Sequence, residues 1–150
     1  MDVVEKRREI YNHYAATGRP PRVAAEDLLA LEADHAVVLG LDGTIAFANP
    51  FATGPAPYRI HTPDAIHYAI CGWDALGVLA ALGSDGVVQG RCPDCAEPIV
   101  LRTREGALDA ADAVAHFLVP AVKTKNKRSS SLLQRIPSIG SGQAEVPLRE

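Results

Sequence analysis

Apolar and polar positions along this chain follow two different periods, and the places where the period changes mark its elements. From Val3 to Tyr14 the apolar residues Val3, Val4, Ile10, Tyr11 and Tyr14 fall at helical spacing, and Thr17-Gly18 followed by Pro20-Pro21 supplies a C-terminal stop. A looser apolar stripe of Val23, Leu28, Leu29 and Leu31 predicts a second helix over about 24–33. The period then drops to two: Val37 to Leu39, a turn at Asp42-Gly43, and Thr44 to Ala48 read as a hairpin. Two short helices and a hairpin suggest a reduced winged-helix lobe. In NPFATGPAPYRIHTPD the prolines Pro50, Pro55, Pro57 and Pro63 break regular structure, which puts a lobe boundary near Gly54.

Beyond the boundary, Ala65 to Cys71 is a short, mostly apolar run that suits a buried strand. Trp73 to Leu82 then carries Leu76, Leu79 and Leu82 at helical spacing and ends at Gly83, so Cys71 falls at or just before a helix start. Two further strands are expected at Val87–Arg91 and Ile99–Thr103, joined by a loop holding Cys92 and Cys95. A helical turn is expected from Asp109 to Ala113, and VAHFLVP reads as one more strand. After Val122 the chain becomes rich in Lys, Ser, Gly and Pro without a period, which predicts a mostly disordered tail over 123–150. The fold class is therefore α+β: a lobe over 1–54, a core of mixed β-sheet and helices over 55–122, and the tail.

Composition sharpens this picture in three places. The chain has 150 residues, enough for one real core and a small second lobe. No apolar run reaches the roughly 18 residues of a membrane span, and MDVVEKRRE has no secretory h-region, so a cytoplasmic protein without membrane contact is expected. Residues 123–150 hold six Lys/Arg against two Glu, which leaves about -7 of the net -3 on the first 122 residues. An acidic body is a poor partner for nucleic acid, and Lys6, Arg7 and Arg8 read as a solvated face. Three cysteines cannot all pair within one chain, so metal binding or thiol chemistry is their expected use.

The corner at Cys71 carries the clearest chemistry. Unpaired N–H groups at a helix start can lower a thiol's pKa from about 8.5 into the range of about 3.5–7.5, and Asp74 projects from the same side of the first turn. Read locally, two uses are open: a reactive thiol sharing a ligand with the carboxyl, or a small core residue beside an aspartate that complements the helix dipole. Trp73 reads as a packing residue. Cys92-Pro-Asp-Cys95 has the spacing with which two sulfurs grip one metal, which is half of a zinc site. Cys71 is a possible third ligand, and His61, His67 or His116 a possible fourth. A plain structural loop and a redox pair are the alternatives for those two cysteines.

The segment HYAICGWDALGVLAALGSDGVVQGRCPDCAEPIVL resembles the core of the organomercurial (alkylmercury) lyases: a strand, Cys-x-x-Asp opening a helix, then a hairpin with a cysteine near its turn. The upstream helices, the ANPF and PYRI segments and VAHFLVP are similar to that family too, covering about residues 2–121. The resemblance implies protonolysis of a carbon–mercury bond to hydrocarbon and Hg(II), with Cys71 as the capturing thiolate and Asp74 as proton relay and then product ligand. It implies no required cofactor, an organomercurial as substrate, small thiols as acceptors and a mercuric reductase as a partner for Hg(II). The chain departs from the pattern after VAHFLVP, where the family carries a second active-site cysteine. The last cysteine here is Cys95, and the abrupt change after Val122 reads as a truncated or frame-altered gene end. The alternative reading is a noncatalytic soft-metal module holding mercury or zinc through Cys71, Cys92 and Cys95; a third, resting on the N-terminal lobe alone, is a DNA-binding regulator.

Overall fold

The computed structural model describes residues 2–109, 113–116 and 138–140. Helix α1 spans Val3–Thr17 and helix α2 Ala25–Ala33. Asp2 caps α1 by accepting from the Val4 amide at 2.9 Å, which satisfies one of the donors a helix start leaves over. Gly18 ends α1 in the left-handed region at φ 70°, and a Cβ there would lie 2.0 Å from the Ile66 carbonyl oxygen. Glycine is therefore required twice, by the backbone angle and by the close approach of the sheet.

Ten strands follow in part between and after the helices: β1 Val38–Leu39, β2 Ile45–Ala48, β3 Phe51–Ala52, β4 Tyr58–His61, β5 Ile66–Ala69, β6 Val87–Arg91, β7 Pro98–Arg104, β8 Ala107–Asp109, β9 Val114–His116 and β10 Ser138–Gly140. Helix α3, Gly72–Leu82, joins β5 to β6. The first eight strands make one sheet in the order β1-β2-β3-β5-β4-β6-β7-β8, and β9 pairs with β10 in a second. The fold is α+β, as expected, but every pairing among the described strands is antiparallel where a mixed sheet was expected. The connections explain this. Most neighbours are joined by short turns, which can only reverse the chain, and the one helical crossover skips a strand, so β5 and β6 run the same way with β4 between them.

Two of the strands lie where sequence reading placed only broken loop. Pro50, Pro55, Pro57 and Pro63 bracket β3 and β4 instead of interrupting them, and a proline costs a strand nothing at its ends. The sheet runs unbroken past Gly54, since β3 and β4 both pair with β5. The expected helical turn at 109–113 is also corrected at its start: a turn at Glu105-Gly106 folds the chain back on β7, so that Asp109 pairs with Arg102 in β8. The Asp85 carboxylate accepts from the amides of Glu105 at 2.7 Å and Gly106 at 3.2 Å and so fixes that turn. Residues 110–112 of that expected turn lie outside the described residues. VAHFLVP begins as β9, with 117–120 outside the described residues, and of the expected disordered tail only 138–140 is described, as β10.

One face of the sheet carries the core. Burial alternates along β4 and β7, so Tyr58, Ile60, Ile99 and Leu101 point inward while Arg59, Val100 and Arg102 face out. Helix α3 lies across β4, β5 and β6 and buries Ala75, Val78 and Leu79 against them. Helix α1 closes the other half: Tyr14 stacks on Phe51 with ring centroids 5.3 Å apart, and its hydroxyl bonds Thr53 Oγ1 at 2.8 Å. Tyr11 reaches the Asn49 carbonyl through its own hydroxyl. Lys6 pairs with Glu9 at 2.6 Å and the Arg7 guanidinium lies 5.3 Å over the Tyr11 ring, so two of the three basic residues of α1 are engaged locally.

His67 is the polar exception in this core. It is 1% exposed, packs at 5.7 Å from the Phe51 ring, and has an Nδ1 without a hydrogen-bond partner. Burial holds its pKa below the ordinary 6.5, with only Asp64 pulling the other way. The unfolded chain therefore takes up a proton as pH falls through about 6.5 while the folded chain does not, and stability fully present above that pH is lost below it. The urea midpoint is expected to fall between pH 6.5 and about 5, and His67→Leu to flatten that limb; a midpoint independent of pH in the wild type would contradict the assignment.

Candidate functional site

The sequence predicts a helix start at Cys71, and the chain places it there. β5 ends at Ala69, Cys71 is still extended at φ -140° and ψ 164°, and α3 begins at Gly72. A helix start needs an acceptor for its loose amides, a place usually taken by an oxygen. Here Cys71 Sγ fills it, accepting from the Asp74 amide at 3.3 Å. The i, i+3 spacing also brings the Asp74 side chain back toward the cap, near enough for the thiol and the carboxyl to shift each other's pKa. The two residues singled out from sequence thus converge on one spot.

Their electrostatics correct one expectation. The thiol was expected to be acidic, yet its pKa is pushed up to about 12. Burial is the main cause, since Cys71 is 3% exposed, and the neighbouring Asp74 carboxyl adds to it by charge and by accepting the thiol proton. The amide bond from Asp74 pulls the other way and loses. Forming a thiolate there at pH 7 costs about 7 kcal/mol, so the sulfur keeps its proton until something replaces it. Asp74 is half-buried, and burial raises its pKa as well, with the bond from Cys71 partly offsetting the rise. A carboxyl whose pKa burial raises holds a proton more firmly than a solvated one, which suits it to a proton relay.

The surroundings differ from expectation at two further points. Trp73 was read as a packing residue, but it is 55% exposed beside the site. Tyr58 lies in β4, which the flanking prolines conceal in the sequence, although Tyr58-Arg59-Ile60-His61 alternates apolar and polar with the period of a strand. It is buried, pairs with Ala69 two residues before Cys71, and its ring lies against Gly90, where a Cβ would come within 2.5 Å. Cys92, just past the end of β6, is buried and Cys95 is exposed. Among the described residues no group of three or more His, Cys, Asp and Glu side chains gathers to hold a metal. Of the histidines considered as ligands, His67 lies in the core beneath Phe51 and His61 bonds Gln89 at 3.0 Å. The side chain of His116 lies outside the described residues.

No helix among the described residues is long and apolar enough to cross a membrane. Comparison with known proteins bears on the pair at Cys71. No curated protein matches the chain. Among solved structures, the mercury-bound form of MerB2 is similar with a TM-score of 0.58 at 22% identity, a likeness of fold. It covers 77% of this chain and 56% of that one, so this chain spans little more than half of that protein's length. The family model for alkylmercury lyase matches residues 51–132, more than half of the chain and inclusive of Cys71 and Asp74. The chain therefore belongs to the alkylmercury lyase family.

Proposed function

We propose that this protein cleaves carbon–mercury bonds by protonolysis, with Cys71 as the capturing sulfur and Asp74 as the proton relay. The observation that carries the reading is the Cys71 sulfur at the start of α3 accepting from the amide of Asp74, whose carboxyl acts on the thiol, inside the matched family region. A solved relative is described as mercury-bound, and soft sulfur is the natural ligand for a soft metal.

The steps balance without an electron donor. An organomercurial R–Hg–X meets the Cys71 thiol; a sulfur–mercury bond forms, X leaves with its electron pair, and the thiol proton passes to the neighbouring Asp74 carboxylate. The high pKa of the empty site is no obstacle, because the metal takes the place of the proton. Asp74 then returns the proton to the carbon, which accepts it with the electron pair of the breaking carbon–mercury bond. Hydrocarbon leaves, and Hg(II) stays between sulfur and carboxylate. With one sulfur in that pair, a small thiol from solution supplies the second soft ligand and carries the ion away, to a mercuric reductase where one is present.

The test is release of benzene from phenylmercury by purified protein in excess small thiol. Catalytic release above the protein-free rate is the expected result. Stoichiometric mercury uptake without benzene would replace the lyase with a noncatalytic soft-metal module.

A further inference from the structure

The C-P-D-C stretch at 92–95 takes no part in the chemistry at Cys71, yet the fold gives it a defined shape. The Cys92 amide donates to the Glu97 carbonyl at 2.8 Å, and the Ala96 amide donates back to the Cys92 carbonyl at 2.9 Å. That second bond spans one helical turn, so Cys92 and Cys95 stand at i and i+3, a spacing that brings Cβ atoms to roughly 5–6 Å on one side. Arg91 ties the turn shut by donating to the Ala96 carbonyl at 3.0 Å. Ala96 itself sits at φ 60°, in the left-handed region an alanine rarely occupies, so the turn is held closed against a backbone cost. Cys92 is anchored at 4% exposure while Cys95 faces solvent.

Two sulfurs on one turn make a chelate for a thiophilic ion, and the number of donors selects the ion. Structural zinc takes four ligands, and among the described residues no group of even three donors gathers. Mercury(II) is satisfied by two thiolates on opposite sides of the ion. We propose that the Cys92–Cys95 turn is a two-sulfur seat for Hg(II), separate from Cys71. Binding is a substitution in which two sulfur–mercury bonds form, both thiol protons leave to solvent, and nothing is oxidised or reduced.

Its position follows from topology. β5 and β6 point the same way on either side of β4, Cys71 lies two residues past the end of β5, and Cys92 directly follows β6. Both cysteines therefore stand at the same end of the sheet, two strand spacings or roughly 10 Å apart. As a binding site the turn rests on its own geometry. As an acceptor for Hg(II) released at Cys71 it rests on the lyase reading.

Because Cys92 is buried, the decisive variant is Cys95→Ser at the exposed position. Wild type, Cys71→Ser and Cys95→Ser are loaded with mercuric chloride in excess glutathione, a monothiol, then desalted and assayed for retained mercury and for sulfur-to-mercury charge-transfer absorption. Wild type and Cys71→Ser are expected to keep about one equivalent, and Cys95→Ser to bind roughly a hundredfold more weakly, as losing one arm of a chelate implies. Wild-type retention by Cys95→Ser, or loss of the ion from Cys71→Ser, overturns the seat. Neither result touches benzene release by the wild type, so the seat and the lyase reading fail separately.

Discussion

Asp74→Asn is expected to slow hydrocarbon release by orders of magnitude while making the Cys71 sulfur easier to ionise. The two effects have one origin. The carboxyl holds the thiol proton in the empty site, through a hydrogen bond and through its charge, and both contributions raise the thiol pKa toward about 12. An amide in its place keeps the shape but can neither take that proton nor return it to carbon. General acid catalysis contributes about a hundredfold to ten-thousandfold, and loss within that range is expected for phenylmercury turnover. Meanwhile the thiol pKa falls, though burial, its largest cause, remains. Alkylation of Cys71 by iodoacetamide at fixed pH near 9 should then speed up about tenfold for each unit of the fall. An Asp74→Asn protein whose sulfur alkylates no faster than wild type would show that the carboxyl is not the group retaining the proton.

Cys71→Ser separates the two duties of that sulfur. As a helix cap a serine hydroxyl is at least as good, being among the preferred residues for accepting from the third amide. The variant should fold with unchanged or slightly raised thermal stability. As a mercury ligand the hydroxyl is hard and does not ionise near neutral pH, so turnover should fall at least about a thousandfold, in the range known for removing a nucleophile. Benzene release that survives in a folded Cys71→Ser protein would move the chemistry elsewhere in the chain.

How much of this was readable beforehand depended on whether neighbours in sequence decide the matter. Helices α1 and α3 announce themselves through spacing and through glycine stops at Gly18 and Gly83, both of which adopt the left-handed backbone of a helix end. The hairpins of β1 with β2 and β6 with β7 are equally local. β3 and β4 were hidden because prolines look alike whether they interrupt a strand or flank it, and only pairing with β5 settles which. The same divide runs through the site. That Cys71 and Asp74 would meet followed from three residues of spacing at a helix start. The direction of the thiol's pKa did not, because it is set mainly by how deeply the sulfur is buried, which spacing along the chain does not reveal.

One atom, Cys71 Sγ, both ties down the Asp74 amide and is the electron donor proposed for mercury. Mercury takes the place of the thiol proton, so the sulfur keeps the lone pair that fastens the opening turn of α3. Capturing the metal and holding the peptide around residues 72–74 in shape are then compatible duties of one atom. The bend that presents the ligand need not come undone for it to be used.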